Sequence, residues 1–207
     1  MKIYMYVITR DYGFAPNPFP PYCTLATCKQ IIRKNAEVGD YVIGIGSGAK
    51  GSKLKNKIIY IMKVCEKITF EEYWKDKRFQ YKKPVMNGSK MQMYGDNIYH
   101  IDESTGEMKQ ENSHHSLEDG SINILNLERD LSGKYVLISD KFWYWGGMGY
   151  DLPDILQKHS DVGRGHLSIT DEPLMREFES WLSTLDVEGY IYAPWHFKDS
   201  FERYDGK

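Results

Sequence analysis

The hydrophobic pattern opens with residues 3–9, Ile-Tyr-Met-Tyr-Val-Ile-Thr, whose two-residue period predicts a first strand. Between Asp11 and Tyr22 lie Pro16, Pro18, Pro20 and Pro21, which forbid a helix or a central strand and predict a loop. That loop carries Phe14, Phe19 and Tyr22, and rings in a loop either fold back on a core or face a ligand. Leu25, Cys28, Ile31 and Ile32 then recur at helical spacing, so a helix is expected from Cys23 or Thr24 to about Asn35. Val38-Gly39-Asp40 closes it, and Tyr41–Ile45 and residues 58–65 read as two strands. Thr69 and Glu72 form a capping box that opens a short helix holding Tyr73 and Trp74.

Residues 75–121 are polar, with short strands expected around 91–94 and 97–101 and a loop or hairpin from Asp102 to Glu118. Apolar runs at 122–127 and 135–139 predict two further strands, and a weak helix spans Leu152–His159. The clearest helix follows Asp171, with Pro173 in its first turn and Leu174, Phe178, Trp181, Leu182 and Leu185 on its apolar face. A last short piece covers residues 189–192. Together these elements predict an α+β domain over residues 1–207 with a polar insertion at about 75–121. Its sheet is expected to be a twisted, mostly antiparallel barrel flanked by three or four helices.

Composition narrows the function classes. In 207 residues, 27 Lys and Arg face 29 Asp and Glu, a net charge of −2, so a basic coat for nucleic acid is absent and any such contact is local. No apolar run is long enough to span a membrane and no secretory leader precedes the first strand, so a cytoplasmic location is expected. The three cysteines, Cys23, Cys28 and Cys65, read as free thiols of a reducing compartment.

Gly46-x-Gly48-x-x-Gly51 matches the dinucleotide fingerprint, but Lys53-Leu54-Lys55-Asn56-Lys57 leads into a strand where the fingerprint requires a helix. No cofactor is therefore expected. What remains is a basic glycine loop with Lys50, Lys53, Lys55 and Lys57, able to touch phosphate. Cys23-x4-Cys28, with His114-His115 far away, offers two metal-type ligands, yet no second Cys/His pair has suitable spacing, so no metal is expected. Cys23, near the expected helix start, is a candidate nucleophile. Asp11 and His166 are candidates for acid and base. Phe142-Trp143-Tyr144-Trp145-Gly146-Gly147 is the densest ring cluster, and one side of it, Trp143 and Trp145, is a candidate stacking surface for a base. Arg164, between two glycines, is suited to grip a phosphate or base edge.

Gly13-Phe14-Ala15-Pro16-Asn17-Pro18-Phe19, Tyr22-Cys23-Thr24-Leu25-Ala26-Thr27-Cys28-Lys29, Ile32-Arg33-Lys34, Val38-Gly39-Asp40 and Gly44-Ile45-Gly46-Ser47 resemble the second family of nucleotide modification associated domains. That resemblance implies an accessory of bacterial or phage DNA-base modification or defence, and brings no catalytic residue list. The order helix, Val-Gly-Asp turn, strand and returning strand separately resembles the PUA/EVE barrel group, some members of which hold a modified base in an aromatic cage. Two readings follow. In the first, the protein binds a nucleotide or modified base through Thr9, Arg10, Phe14, Asn17, Thr24, Lys29, Ser47, Trp143, Trp145 and Arg164. In the second, it is an enzyme altering a base or nucleotide, with Asp11, Cys23 and His166 at work. A third role, as a subunit binding other proteins of a modification system, uses the loop rings.

Overall fold

The computed structural model describes residues 1–48, 53–163 and 165–206. Strand β1 (Ile3–Ile8) alternates as its sequence dictates, and every residue but Val7 is buried because both faces of its sheet are covered. The proline-rich loop leads into β2 (Cys23–Leu25), and only then comes α1 (Gln30–Asn35). The helix expected from residue 23 is shortened for two reasons. Cys23–Leu25 is claimed as a strand by residues 137–139, and Cys28 and Lys29 sit at φ of 55° and 35°, which no right-handed helix can pass through. β3 (Tyr41–Gly46), β4 (Lys57–Lys63) and β5 (Glu66–Thr69) follow. The Thr69/Glu72 capping box forms as expected and opens α2 (Phe70–Lys75).

The strand expected around residues 91–94 is instead α3 (Lys90–Met93), held by a second capping box between Ser89 and Gln92. A hairpin of β6 (Tyr99–Ile101) and β7 (Met108–Gln110) leads to α4 (Ile124–Leu131), where the apolar run had predicted a strand. Asn123 caps α4 by accepting from Asn126 N–H. This helix is turned unusually: Ile124 and Leu125 are exposed while Asn126 and Asp130 are buried. β8 (Tyr135–Ser139), β9 (Lys141–Tyr144), β10 (Tyr150–Asp151), α5 (Asp154–Gln157), β11 (Leu167–Ile169), α6 (Glu172–Leu182) and β12 (Gly189–Tyr190) complete the chain. Asp171 caps α6 through Leu174 N–H, as its position predicts.

The expected PUA/EVE-type barrel does not form. The main sheet is open, in the order β11-β1-β3-β4-β9-β12 with β10 also paired to β4. β1 and β3 run parallel, Ile3 beside Tyr41 through Ile8 beside Gly46, joined by the crossover that carries β2 and α1. The two ends of the order, β11 and β12, are three- and two-residue strands that do not meet. A second sheet, β2-β8-β5, and the β6-β7 hairpin stand apart from the first. Ile3, Met5, Ile43, Trp143 and Trp145 pack one face of the main sheet against α6, while Tyr4, Tyr6, Val42, Tyr60 and Tyr144 cover the other beneath β2 and α1. Among the described residues no helix is long and apolar enough to cross a membrane.

Candidate active site

The parallel β1–β3 pair fixes where a ligand has room. Beyond the carboxyl end of β1 the chain leaves the sheet, and α1 begins close by, an arrangement that opens a crevice in α/β sheets. Tyr6, Val7, Ile8, Thr9 and Arg10 form one side of a cavity of about 620 Å³, and Cys28 to Ile32 form another. His114, His115, Arg129, His166 and Tyr204 close it, with the rings of Tyr12 and Phe14.

At the floor of this cavity lies a chain of three side chains drawn from far apart in sequence. Cys28 Sγ is 3.7 Å from His115 Nε2, and His115 Nδ1 is 2.7 Å from Asp130 Oδ2. Asp130 Oδ1 accepts the backbone N–H of Cys28 at 2.7 Å, so the carboxylate holds both ends of the relay. Asp130 and His115 are buried, and Cys28, half-buried, reaches the cavity.

Each member is locked by its neighbours. Arg33, fully buried on α1, donates to the carbonyls of Cys28 at 2.8 Å, Tyr135 at 2.7 Å and Asp130 at 2.5 Å. These bonds hold Cys28 and Lys29 in left-handed backbone, a conformation that costs energy for a residue with a Cβ and persists only where its surroundings enforce it. Gly133 makes room for Arg33, since a Cβ there would lie 2.6 Å from the guanidinium carbon. Tyr99 Oη donates to Asp130 Oδ2 at 2.8 Å. The His115 carbonyl accepts from the Gln110 and Asn126 side-chain amides, which explains why α4 turns a polar face inward.

Electrostatics separates the two adjacent histidines. Burial alone would push His115 down, but the Asp130 carboxylate and then the Cys28 sulfur outweigh it and raise the group to about 10. Its imidazolium in turn holds Asp130 below the ordinary carboxylate range against the effect of burial. His114 goes the other way: burial, and then the charge of His115, lower it to about 3. His114 Nδ1 lies 2.5 Å from the Glu202 carbonyl, which only accepts, so Nδ1 carries the proton and Nε2 is a lone-pair acceptor. A charged and a neutral imidazole side by side at one cavity is the pattern of an acid and an acceptor with divided roles.

A pH dependence of stability follows. An unfolded His releases its proton near 6.5, whereas folded His115 keeps it to about 10. Below 6.5 its contribution to stability is complete. Between the two values the folded state binds one more proton, so stability from this group falls by up to about 1.4 kcal/mol per pH unit, and it is lost above about 10. Urea unfolding at pH 7 and pH 9 should show the fall, and Asp130→Asn should flatten it.

The same three residues also fall within metal-binding reach of one another. Their hydrogen bonds argue for the relay: both Asp130 oxygens and His115 Nδ1 are already engaged, and Sγ and Nε2, which face each other at 3.7 Å, are two ligand atoms, fewer than a zinc site uses.

Of the residues picked from sequence, Thr9, Arg10, Phe14, Lys29 and His166 line the cavity. Asn17, Thr24 and Ser47 do not. Asn17 and Thr24 are buried in a polar network, where Asn17 Oδ1 accepts from Lys82 at 2.6 Å and Thr24 donates to Asp96 at 2.7 Å. Ser47 N–H, at the end of β3, donates to the Ile8 carbonyl. Trp143 and Trp145 are buried in the core against α6 and offer no stacking face to the cavity. Cys23 is buried in β2, and burial pushes its thiol up to about 12. Asp11 is buried, raised by that burial, and accepts from Tyr144 Oη at 2.5 Å and Trp195 N–H at 3.1 Å, a structural post between sheet and C-terminal segment. Residues 49–52, with Lys50 and Gly51, and Arg164 lie outside the described residues. Sequence reasoning paired Cys28 with His114-His115 only as metal ligands and passed over Asp130, 15 residues from His115 and 102 from Cys28. Asn126 and Asp130, four apart, share the inward face of α4 with Leu127 and Leu131, which pack against the core.

The molecule is thus an α+β protein with an open mixed sheet and a cysteine–histidine–aspartate relay at the floor of a cleft. The chain belongs to the nucleotide modification associated domain 2 family, whose model matches residues 1–201. No curated protein and no solved structure matches it.

Proposed function

We propose that this protein is a cysteine-nucleophile enzyme of nucleotide modification that transfers or hydrolyses an acyl group carried on a nucleotide. The observation that carries the reading is the Cys28–His115–Asp130 relay, whose order and contacts suit a thiol, a general acid–base and its orienting carboxylate. The family supplies the nucleotide context. The cavity rings of Tyr6, Tyr12, Phe14 and His166 suit a planar base, so this reading keeps nucleotide binding and adds chemistry to it.

In the first step the Cys28 sulfur, as thiolate, attacks the acyl carbon of an amide or ester. His115 gives its proton to the leaving amine or alcohol, and a thioester remains on Cys28. In the second step water attacks the thioester, its proton returns to His115, and the acid leaves as the thiolate is restored. An amine or alcohol in place of water makes the same cycle a transfer. Gln30, which lines the cavity two residues beyond Cys28, is a side-chain donor at hand for the oxyanion.

Selective labelling tests the reading. At pH 7 iodoacetamide should modify Cys28 well before Cys23 or Cys65, since burial raises both of the others. His115→Ala should slow labelling of Cys28 by about tenfold or more by removing the imidazolium beside the sulfur. Peptide mass spectrometry reads the sites. Equal labelling of all three cysteines, or no effect of His115→Ala, would count against a catalytic thiol.

A further inference from the structure

The wall above the relay carries charge of one sign. Arg10, Lys29 and Arg129 line the cavity with three histidines, and no Asp or Glu is among the described residues that line it. This is a marked local bias in a chain where acidic residues outnumber basic ones, 29 to 27. The three cations are not equivalent. Arg129 is engaged, donating to Tyr204 Oη at 3.1 Å and to the Gly206 carbonyl, and so fastens the C-terminal segment to α4. Lys29 and Arg10 make no ion pair with a described residue.

Lys29 is the more telling of the two. It is half-buried, its ammonium lies 4.4 Å from the centroid of the Tyr6 ring, and its backbone is left-handed at φ 35°. A cation taken partly out of water is normally matched by an anion, and a ring face supplies only part of that match. Burial pushes its ammonium down from the ordinary lysine range, which is the effect an incoming anion reverses. Arg10 stands exposed just after β1, with a planar fork suited to two phosphate oxygens. The rings of Tyr6, Tyr12 and Phe14 lie in the same cavity, whose volume of about 620 Å³ is within the range of small-ligand sites.

We infer that the cavity takes a single nucleoside phosphate, its phosphate held by Lys29 and Arg10 and its base against the aromatic wall. This deepens the enzymatic reading and rests on it for the identity of the reacting group, but the binding it asserts can be measured apart from any chemistry. A free nucleotide is favoured over a nucleic acid strand because a chain of net charge −2 lacks the broad basic surface that a strand's many phosphates require.

The test is calorimetric titration of the full chain with the four deoxynucleoside 5′-monophosphates, the four nucleosides, inorganic phosphate and a single-stranded 12-mer. At least one monophosphate should bind about tenfold or more tightly than its nucleoside, a difference one well-placed charged contact can supply. Lys29→Met and Arg10→Gln should each remove most of that preference while leaving nucleoside binding within about twofold. Arg10 is exposed, so its variant keeps the test decisive if Lys29→Met fails to fold. Equal affinity for monophosphates and nucleosides would overturn the inference, as would tighter binding of the 12-mer with a steep salt dependence. Cys28→Ala should retain monophosphate binding. Turnover that survives in Cys28→Ala would defeat the enzymatic reading alone, and the absence of a phosphate preference in the unmutated chain would defeat this one alone.

Discussion

Cys28→Ala is expected to lower turnover of base-acylated nucleotides by about 10⁴-fold or more, the scale seen when a nucleophile is removed from a relay that acts as a unit. His115→Ala should cost nearly as much, and the double variant no more than the worse single one, because neither group does chemistry without the other. Asp130→Asn should cost less, since it leaves thiol and imidazole in place and removes the charge that keeps His115 protonated. Mass spectrometric assay of nucleotide products across the four variants reads all of this. Additive losses would mean that Cys28 and His115 act independently, contrary to their 3.7 Å contact being a working one.

The second large effect is on stability. Asp130 and Arg33 are both fully buried, 3.9 Å apart at their closest charged atoms, with the His115 imidazolium also against the carboxylate. Asp130→Ala leaves two buried cations without their shared anion, and removal of one partner from a buried pair costs about 3–5 kcal/mol. Urea denaturation should show the midpoint moving to lower denaturant with the slope unchanged. Asp151→Ala is the contrast: its pair with Lys57 sits on an 89% exposed carboxylate, and the midpoint should not move measurably. Arg33→Met should also destabilise, since three carbonyls and the left-handed turn at Cys28 depend on the guanidinium. If Asp130→Ala proved neutral, the locked geometry described for the site would not be what holds it.

The elements with local signals were legible in the chain. The alternation of β1, the Thr69/Glu72 box and the Asp171 cap each depend on residues within one turn or strand, and each forms where its residues stand. The errors share one cause, that tertiary partners decide between states which local pattern leaves open. Cys23–Leu25 has helical spacing to Ile31 and Ile32, but β8 takes it as a strand. Residues 122–127 look extended because Ile122, Ile124, Leu125 and Leu127 are apolar, yet Asn123 caps a helix there whose inward face carries buried Asn126 and Asp130 beside Leu127 and Leu131. The barrel expectation rested on element order, and order does not encode that β1 pairs with β3 in parallel and leaves the sheet open.

The site divides in the same way. Thr9, Arg10, Phe14 and Lys29 lie close together in a stretch where the family resemblance is strongest, and they meet at one cavity. His166, singled out from a glycine-flanked turn, reaches it from just before β11, the strand paired with β1. Trp143 and Trp145 were attractive for ring density alone, and the cost of exposing two indoles explains why they are in the core. Cys28, His115 and Asp130 come from a pre-helical turn, a loop and a helix, and spacing carries no sign that they converge. What the chain did carry was the His114-His115 pair in a polar segment, which makes sense once the relay is seen.

The most direct measurement is rapid-quench intact-mass analysis of the wild type mixed with a panel of deoxynucleoside 5′-monophosphates acylated on the base, followed by peptide mapping. The relay requires a transient mass gain equal to the acyl group, located on Cys28 and absent from Cys28→Ala. Turnover with no covalent species and undiminished in Cys28→Ala, or a stable adduct on another residue, would contradict a thiol nucleophile at this site.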